Sequence, residues 1–133
     1  MSSASDPPSP LPEFVYKITT DPPPSPLPEQ YPLSDLDAQD GFIHLSTAWQ
    51  IPTTASLYFT ALSTLYVLKL RLSNLSSPPG VIKWDDAPGI TNKGCPHLYE
   101  RNFGAADVVD VRKFEREEGE TWEGVFGGGA WLV

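Results

Sequence analysis

Five or six short strands with only one or two helices, in no regular alternation, predict an α+β domain with small mixed or antiparallel sheets. Three observations carry this expectation. Runs rich in β-formers recur at residues 14–20, 42–47, 65–72, 81–84 and 108–114, a clear helical period occurs at residues 55–62, and clusters of Pro, Gly, Asp and Ser separate these segments. A length of 133 residues suits one domain with one real core.

Proline dominates the N-terminal quarter. Ten of the fifteen prolines fall in residues 1–32. The heptapeptide Pro7-Pro8-Ser9-Pro10-Leu11-Pro12-Glu13 recurs unchanged as Pro23-Pro24-Ser25-Pro26-Leu27-Pro28-Glu29. Proline lacks a backbone donor and restricts the residue before it, so these copies read as polyproline-II or turn segments. Residues 1–12 are expected to form a flexible tail and residues 13–133 a single compact domain. Between the copies, Phe14-Val15-Tyr16-Lys17-Ile18-Thr19-Thr20 alternates as a strand. The second copy is then an ordered loop leading to a short helical turn. Ser34 caps that turn, with Asp37 at its third helical position.

Asp40-Gly41 is a turn signal feeding a strand over residues 42–47. On it Phe42, His44 and Ser46 share one face. A helix follows, capped by Thr53 or Thr54 with Pro52 just outside, on the spacing of Ala55, Tyr58, Phe59 and Leu62. Residues 65–72 form a long strand with Lys69 and Arg71 facing out at one end. Residues 74–80 read as a loop, 81–84 as a short strand and 86–96 as a second loop containing Pro88-Gly89 and Lys93-Gly94. Leu98-Tyr99 opens another short element, and residues 108–114 form the last clear strand. The acidic, then Gly-rich end closes on Trp131-Leu132-Val133, which is expected to dock on the body.

Composition excludes several functions. Nine basic residues against 17 acidic ones give a net charge of −8, which repels nucleic-acid backbones and anionic membranes. A single cysteine, Cys95, allows no intramolecular disulfide. One Cys and two His also make a poor metal-ligand set, so no metal is expected. The mostly apolar stretch over residues 57–72 is broken by Thr60, Ser63, Thr64, Lys69 and Arg71, too interrupted to span a membrane. Residues 1–7 have neither the basic nor the apolar region of a signal peptide. The expected location is the cytoplasm, with the nucleus as the alternative.

Two histidine segments carry the chemistry. A histidine in an apolar strand costs desolvation unless it has partners. His44, with Ser46 and Thr47 beside it, offers a donor cluster suited to sugar hydroxyls. The other reading of His44 is a structural histidine bonded to a carbonyl. In Cys95-Pro96-His97-Leu98-Tyr99, His97 is a candidate proton carrier near neutral pH and Tyr99 a stacking or hydroxyl partner. Adjacency to His97 does not by itself make Cys95 a nucleophile. Lys83-Trp84-Asp85 resembles the wall of a nucleotide or sugar pocket, or else a buried Trp84 between solvated charges. His44 and His97 are expected to line one cleft.

Tyr16-Lys17-Ile18, Leu33-x-x-Leu36-x-x-x-Asp40-Gly41-Phe42-Ile43-His44-Leu45-Ser46-Thr47-x-x-Gln50, Lys83-Trp84-Asp85 and Pro96-His97-Leu98-Tyr99 occur in this order. Together, over about residues 14–114, they resemble the domain-of-unknown-function family 952. That family's domain resembles the ADP-ribosyltransferase fold, nearest by motif to the tRNA 2′-phosphotransferases through His44-Leu45-Ser46. The resemblance implies NAD held in a cleft between two small sheets, with possible transfer of ADP-ribose. It implies His44 and His97 as catalytic residues. Lys17, Ser46, Thr47, Gln50, Lys83, Trp84 and Tyr99 are then ligand contacts, the two lysines offsetting the pyrophosphate. Many members carry His where this chain has Lys17, and Glu where it has Asp85. The alternatives are a non-catalytic small-molecule module on the same fold and an interaction protein whose proline segments recruit a partner.

Overall fold

A computed structural model describes the backbone of residues 7–87, 90–127 and 130–133, with side chains throughout except at residues 87 and 90–93. Residues 1–6 of the expected tail and the Pro88-Gly89 turn lie outside the described residues.

The domain is α+β, built on two antiparallel three-stranded sheets. Strand β1 (Phe14–Thr19) is followed by helix α1 (Asp35–Asp40) and the very short β2 (Ile43–His44). A short 3₁₀ turn, Ala48–Gln50, runs into α2 (Ile51–Tyr58), and a second, Ala105–Asp107, precedes the last strand. Then come β3 (Thr64–Arg71), a one-turn α3 (Leu72–Leu75), β4 (Val81–Ala87) and β5 (Ile90–Tyr99). β6 (Val108–Glu115) and α4 (Trp122–Gly127) complete the order.

One sheet runs β1-β3-β6 and the other β2-β5-β4. They are stitched where Tyr16 and Ser46 exchange backbone hydrogen bonds of 2.8 and 2.9 Å. Alternation along β1 and β3 sends neighbouring side chains to opposite faces. Val15, Leu68 and Leu70 enter a core with Trp84, Leu98 and Phe103. Tyr16, Leu65 and Val67 enter a second core with Ile51, Ala55, Trp122 and Phe126. β1 and β3 are therefore covered on both faces, which explains the nearly continuous apolar run in β3, whereas the edge strand β6 has no buried residue.

Several expectations are corrected. The strand at 42–47 is shorter, because only Ile43 and His44 pair with β5 before the chain turns at the 3₁₀ segment. α2 begins at Ile51, with Pro52 inside its first turn, where a missing N–H breaks no helical bond. The described part of residues 86–96 is not a loop but strand: residues 86–87 extend β4 and residues 90–96 open β5, with Trp84 opposite Pro96 and Asp85 opposite Cys95. Pro96 is tolerated in this central strand because β2 pairs only as far as His97, so β5 is an edge on that side beyond it.

Lys69 does not simply face out. Its ammonium donates to the Trp131 carbonyl at 2.6 Å and sits 4.7 Å from the centre of the Trp131 ring. Tyr16 Oη accepts from the Val133 amide at 2.9 Å, so the apolar segment at 131–133 docks as expected. The second proline copy lies in the connection between β1 and α1. In the first copy Pro8 is buried, and it lines a shallow hollow with Phe14, Trp49 and Val133.

Candidate functional site

The site begins with the cap of α1. Ser34 Oγ accepts from the Asp37 amide at 3.1 Å, which fixes the first turn and sends Asp37 inward, where it is 2% exposed. Gly41 ends the helix in the left-handed region at φ 81°, a conformation glycine adopts without strain. That reversal returns the chain beside its own helix, so Asp37 faces His44. Asp37 Oδ1 accepts from the His44 amide at 3.0 Å and from His44 Nδ1 at 2.7 Å. Lys17 Nζ, from β1, donates to Asp37 Oδ2 at 2.6 Å and to the His44 carbonyl at 3.2 Å. Asp40 Oδ2 lies 2.9 Å from His44 Nε2.

The opposing histidine has its own acid. His97 Nδ1 is 2.9 Å from Asp85 Oδ2, and Tyr99 Oη donates to the same oxygen at 2.7 Å. His44 and His97 are direct cross-strand partners, with ring centres 5.1 Å apart in an edge-on arrangement. Phe42 covers both, its ring 4.5 Å from His44 and 4.6 Å from His97. Both histidines line one cleft of about 840 Å³. Its walls come from the end of β1 and the loop after it, α1, β2, α2 and β5, with Tyr58 and Leu36 among the apolar members.

The electrostatics are uneven. Burial raises the Asp37 carboxyl, but hydrogen bonds from His44 and the Lys17 ammonium outweigh it and hold it at about 2. Burial pulls the Lys17 ammonium below its usual range against the attraction of Asp37. The short contact and the additional donors to the same carboxylate make the charged pair the folded state. Burial, then the Asp85 and Asp86 charges, push the Cys95 thiol up to about 11, so Cys95 is neutral and no thiolate nucleophile. Burial and the bond to Asp85 push the Tyr99 phenol to about 12.

Because the folded Asp37 binds its proton more weakly than an unfolded aspartate, its contribution is complete above about pH 4. It is lost as the pH falls through about 2. Acid unfolding followed by circular dichroism is expected to show a loss of about 2 kcal/mol across that window. An Asp37→Asn variant should lack this component, and an unchanged acid profile in that variant would remove Asp37 from the account.

The remaining residues fall into different places. Ser46 lines the cleft, its hydroxyl 3.4 Å from that of Thr54. Thr47 is fully buried and its amide donates to Gln50 Oε1 at 3.0 Å. Gln50 Nε2 in turn donates to the Gly94 carbonyl at 3.0 Å. Thr47 and Gln50 thus brace β5 from behind instead of facing the cleft. Trp84 is a core residue. Lys83 is not on the cleft wall; its ammonium lies 4.6 Å from the centre of the Tyr99 ring. Lys17 lines the cleft but is buried and paired. The sequence places Asp40 in a turn and Phe42 on the face of His44 but gives neither a role in the site, and Asp37 is legible only as the partner of the Ser34 cap. The signal that calls for such partners is the strand histidine itself, which needs them to be buried at low cost.

Fold and site together define a small α+β domain with a histidine-lined cleft where two antiparallel sheets meet. The chain belongs to the family described as protein of unknown function DUF952, whose model matches residues 27–111. It is similar to the crystal structure of protein CC0527 from Caulobacter crescentus, at 26% identity and a TM-score of 0.61, covering 84% of this chain and 91% of that one. A double mutant of the same Caulobacter crescentus protein matches at 25% identity, with the same TM-score and coverage. No curated protein matches the chain. Among the described residues no helix is long and apolar enough to cross a membrane.

Proposed function

We propose that the cleft binds a nucleoside-class ligand and that its two histidines act at the sugar of that ligand. ADP-ribosyl transfer from NAD, on an ADP-ribosyltransferase-like fold, is the reaction this reading names first. The observation that carries it is the meeting of His44 and His97, each held by its own aspartate, on the wall of a cleft of about 840 Å³. A cleft of this size suits a small-molecule ligand. Its apolar walls suit a base, while Ser46 and His97 suit hydroxyls.

The fit to NAD is partial. Its nucleoside half matches these groups. For its pyrophosphate the only lysine or arginine among the described lining residues is Lys17, already bound to Asp37. The expected role of Lys17 and Lys83 as pyrophosphate partners therefore has no support in their placement.

Calorimetry with nicotinamide riboside, NAD and ADP-ribose tests the reading. Nicotinamide riboside is expected to bind, and His97→Ala to weaken it at least about tenfold, the loss of one good hydrogen bond to a ligand. No heat from any of the three at millimolar concentration would end the proposal. Binding without catalysis is the second reading, favoured because Lys17 and both ring nitrogens of His44 already have partners in the protein. Chromatographic assay for released nicotinamide separates the two: release identifies an enzyme, and binding without release a binding module.

A further inference from the structure

We propose that the two histidines are an unlike pair: His44 is a fixed imidazolium, and His97 is a neutral base whose Nε2 is the proton acceptor of the cleft. The first half follows from hydrogen-bond chemistry. His44 Nδ1 lies 2.7 Å from Asp37 Oδ1 and Nε2 lies 2.9 Å from Asp40 Oδ2. A carboxylate brings no hydrogen to such a contact, so each ring nitrogen must carry its own, and only the imidazolium carries both. The second half follows from the contrast. His97 has one carboxylate, Asp85, on Nδ1, and its Nε2 has no hydrogen-bond partner among the described residues. With Nδ1–H donated to Asp85, the lone pair stands on Nε2.

The surroundings enforce the difference. His44 is faced by Asp37 and Asp40 of α1, by Lys17 of β1 through Asp37, and by His97 of β5. His97 is faced by Asp85 of β4 and by His44, with the Tyr99 hydroxyl sharing the Asp85 oxygen and the charge of Asp37 of α1 also reaching the ring. Lys83, opposite His97 in the ladder, directs its ammonium over the Tyr99 ring. Burial lowers the proton affinity of His97 and the charge of His44 lowers it further, while the bond to Asp85 and the charges of Asp85 and Asp37 oppose this; the net direction is downward. Two imidazoles with centres 5.1 Å apart repel when both are charged, so the carboxylate count decides which one keeps the proton.

Such a pair suits proton transfer from a hydroxyl. The O–H bond breaks, its electron pair stays on the oxygen and Nε2 of His97 takes the proton. The new positive charge on His97 is matched by Asp85, and the oxygen anion forms beside the imidazolium of His44. Asp40 and Asp85 are then positioning residues, which act by setting the protonation of the two rings. This use of the pair rests on the proposed reading of the cleft, but the protonation states do not.

Nitrogen-15 NMR of the imidazoles in the full chain at pH 7, without ligand, tests the proposal. Expected are two protonated-type nitrogens on His44, and one protonated and one lone-pair nitrogen on His97, the latter being Nε2. At the same pH, Asp40→Asn removes the carboxylate on His44 Nε2 and should replace one protonated-type nitrogen of that ring by a lone-pair nitrogen, and Asp85→Asn should mix the two His97 tautomers. Two neutral histidines in the wild-type protein, a charged His97, or a lone pair on Nδ1 of His97 would overturn it. Titration with nicotinamide riboside is a separate arm. Failure of that compound to bind while the ring signatures stand as expected counts against the nucleoside reading and leaves the unlike pair intact.

Discussion

Replacing Asp37 with alanine is expected to destabilise the protein by about 3–5 kcal/mol, the cost typical of removing one partner from a buried ion pair. Asp37 is buried and accepts from Lys17 Nζ, His44 Nδ1 and the His44 amide. Its removal leaves the Lys17 ammonium, 6% exposed, with the His44 carbonyl as its remaining partner. The His44 amide and Nδ1 lose their acceptor in the same step. Urea unfolding monitored by Trp fluorescence measures the loss. Replacing both partners with apolar residues, as in Lys17→Met with Asp37→Leu, should recover much of the stability, because no unpaired charge then remains. A loss under about 1 kcal/mol for Asp37→Ala would mean that water reaches Lys17 and that the pair is not a buried one.

The parts of this fold that were legible are those whose signals are local. β1 and β6 are read from β-rich runs, and α1 from Ser34, Asp37 and Gly41, each used as its residue type suggests. β5 was not legible, because Gly94 and Pro96 favour a loop when read alone. What makes them strand residues is the partner. A Cβ on Gly94 would come within 2.5 Å of the Trp84 backbone, and Pro96 pairs where β2 has already ended.

The site divides in the same way. That His44 and His97 converge was readable, since each is a polar residue placed in an apolar strand-like segment. Which groups hold them was not. Asp37 reaches His44 only because Gly41 reverses the chain, and Lys17 reaches Asp37 only because β1 is stitched to the segment after β2 at Ser46. A lysine between Tyr16 and Ile18 reads as a free cation until the acid opposite it is known. Trp84 likewise reads equally well as a pocket wall or as core until Leu98 and Phe103 are seen packed with it.

Gly104→Ala is expected to have the second largest effect, and to act on the cleft from a distance. Gly104 is extended, at φ −158°, so an alanine there carries no backbone strain. The obstacle is a close approach: a Cβ would lie 1.7 Å from the Glu29 carbonyl oxygen and 2.4 Å from its carbon. These are backbone atoms, which cannot swing aside as a flexible side chain can. The contact belongs to a seam that holds the second proline copy. The Ala105 amide donates to the Pro28 carbonyl at 2.9 Å and the Tyr31 amide to the Phe103 carbonyl at 2.8 Å, while the Tyr31 and Phe103 rings stack at 4.9 Å. Tyr31, Pro32 and Leu33 leave this seam to form part of the cleft wall. Overpacking of this kind costs about 1–3 kcal/mol, and parting the seam should bring the loss to the upper end of that range. It should also weaken any ligand of the cleft, although residue 104 is not itself a lining residue. Gly127→Ala is the control, since a Cβ there meets nothing within 4 Å, and it should change stability by less than about 0.5 kcal/mol. If urea midpoints show the two variants to be equally stable, residues 28 and 29 can shift freely, and the second proline copy does not hold the wall of the cleft.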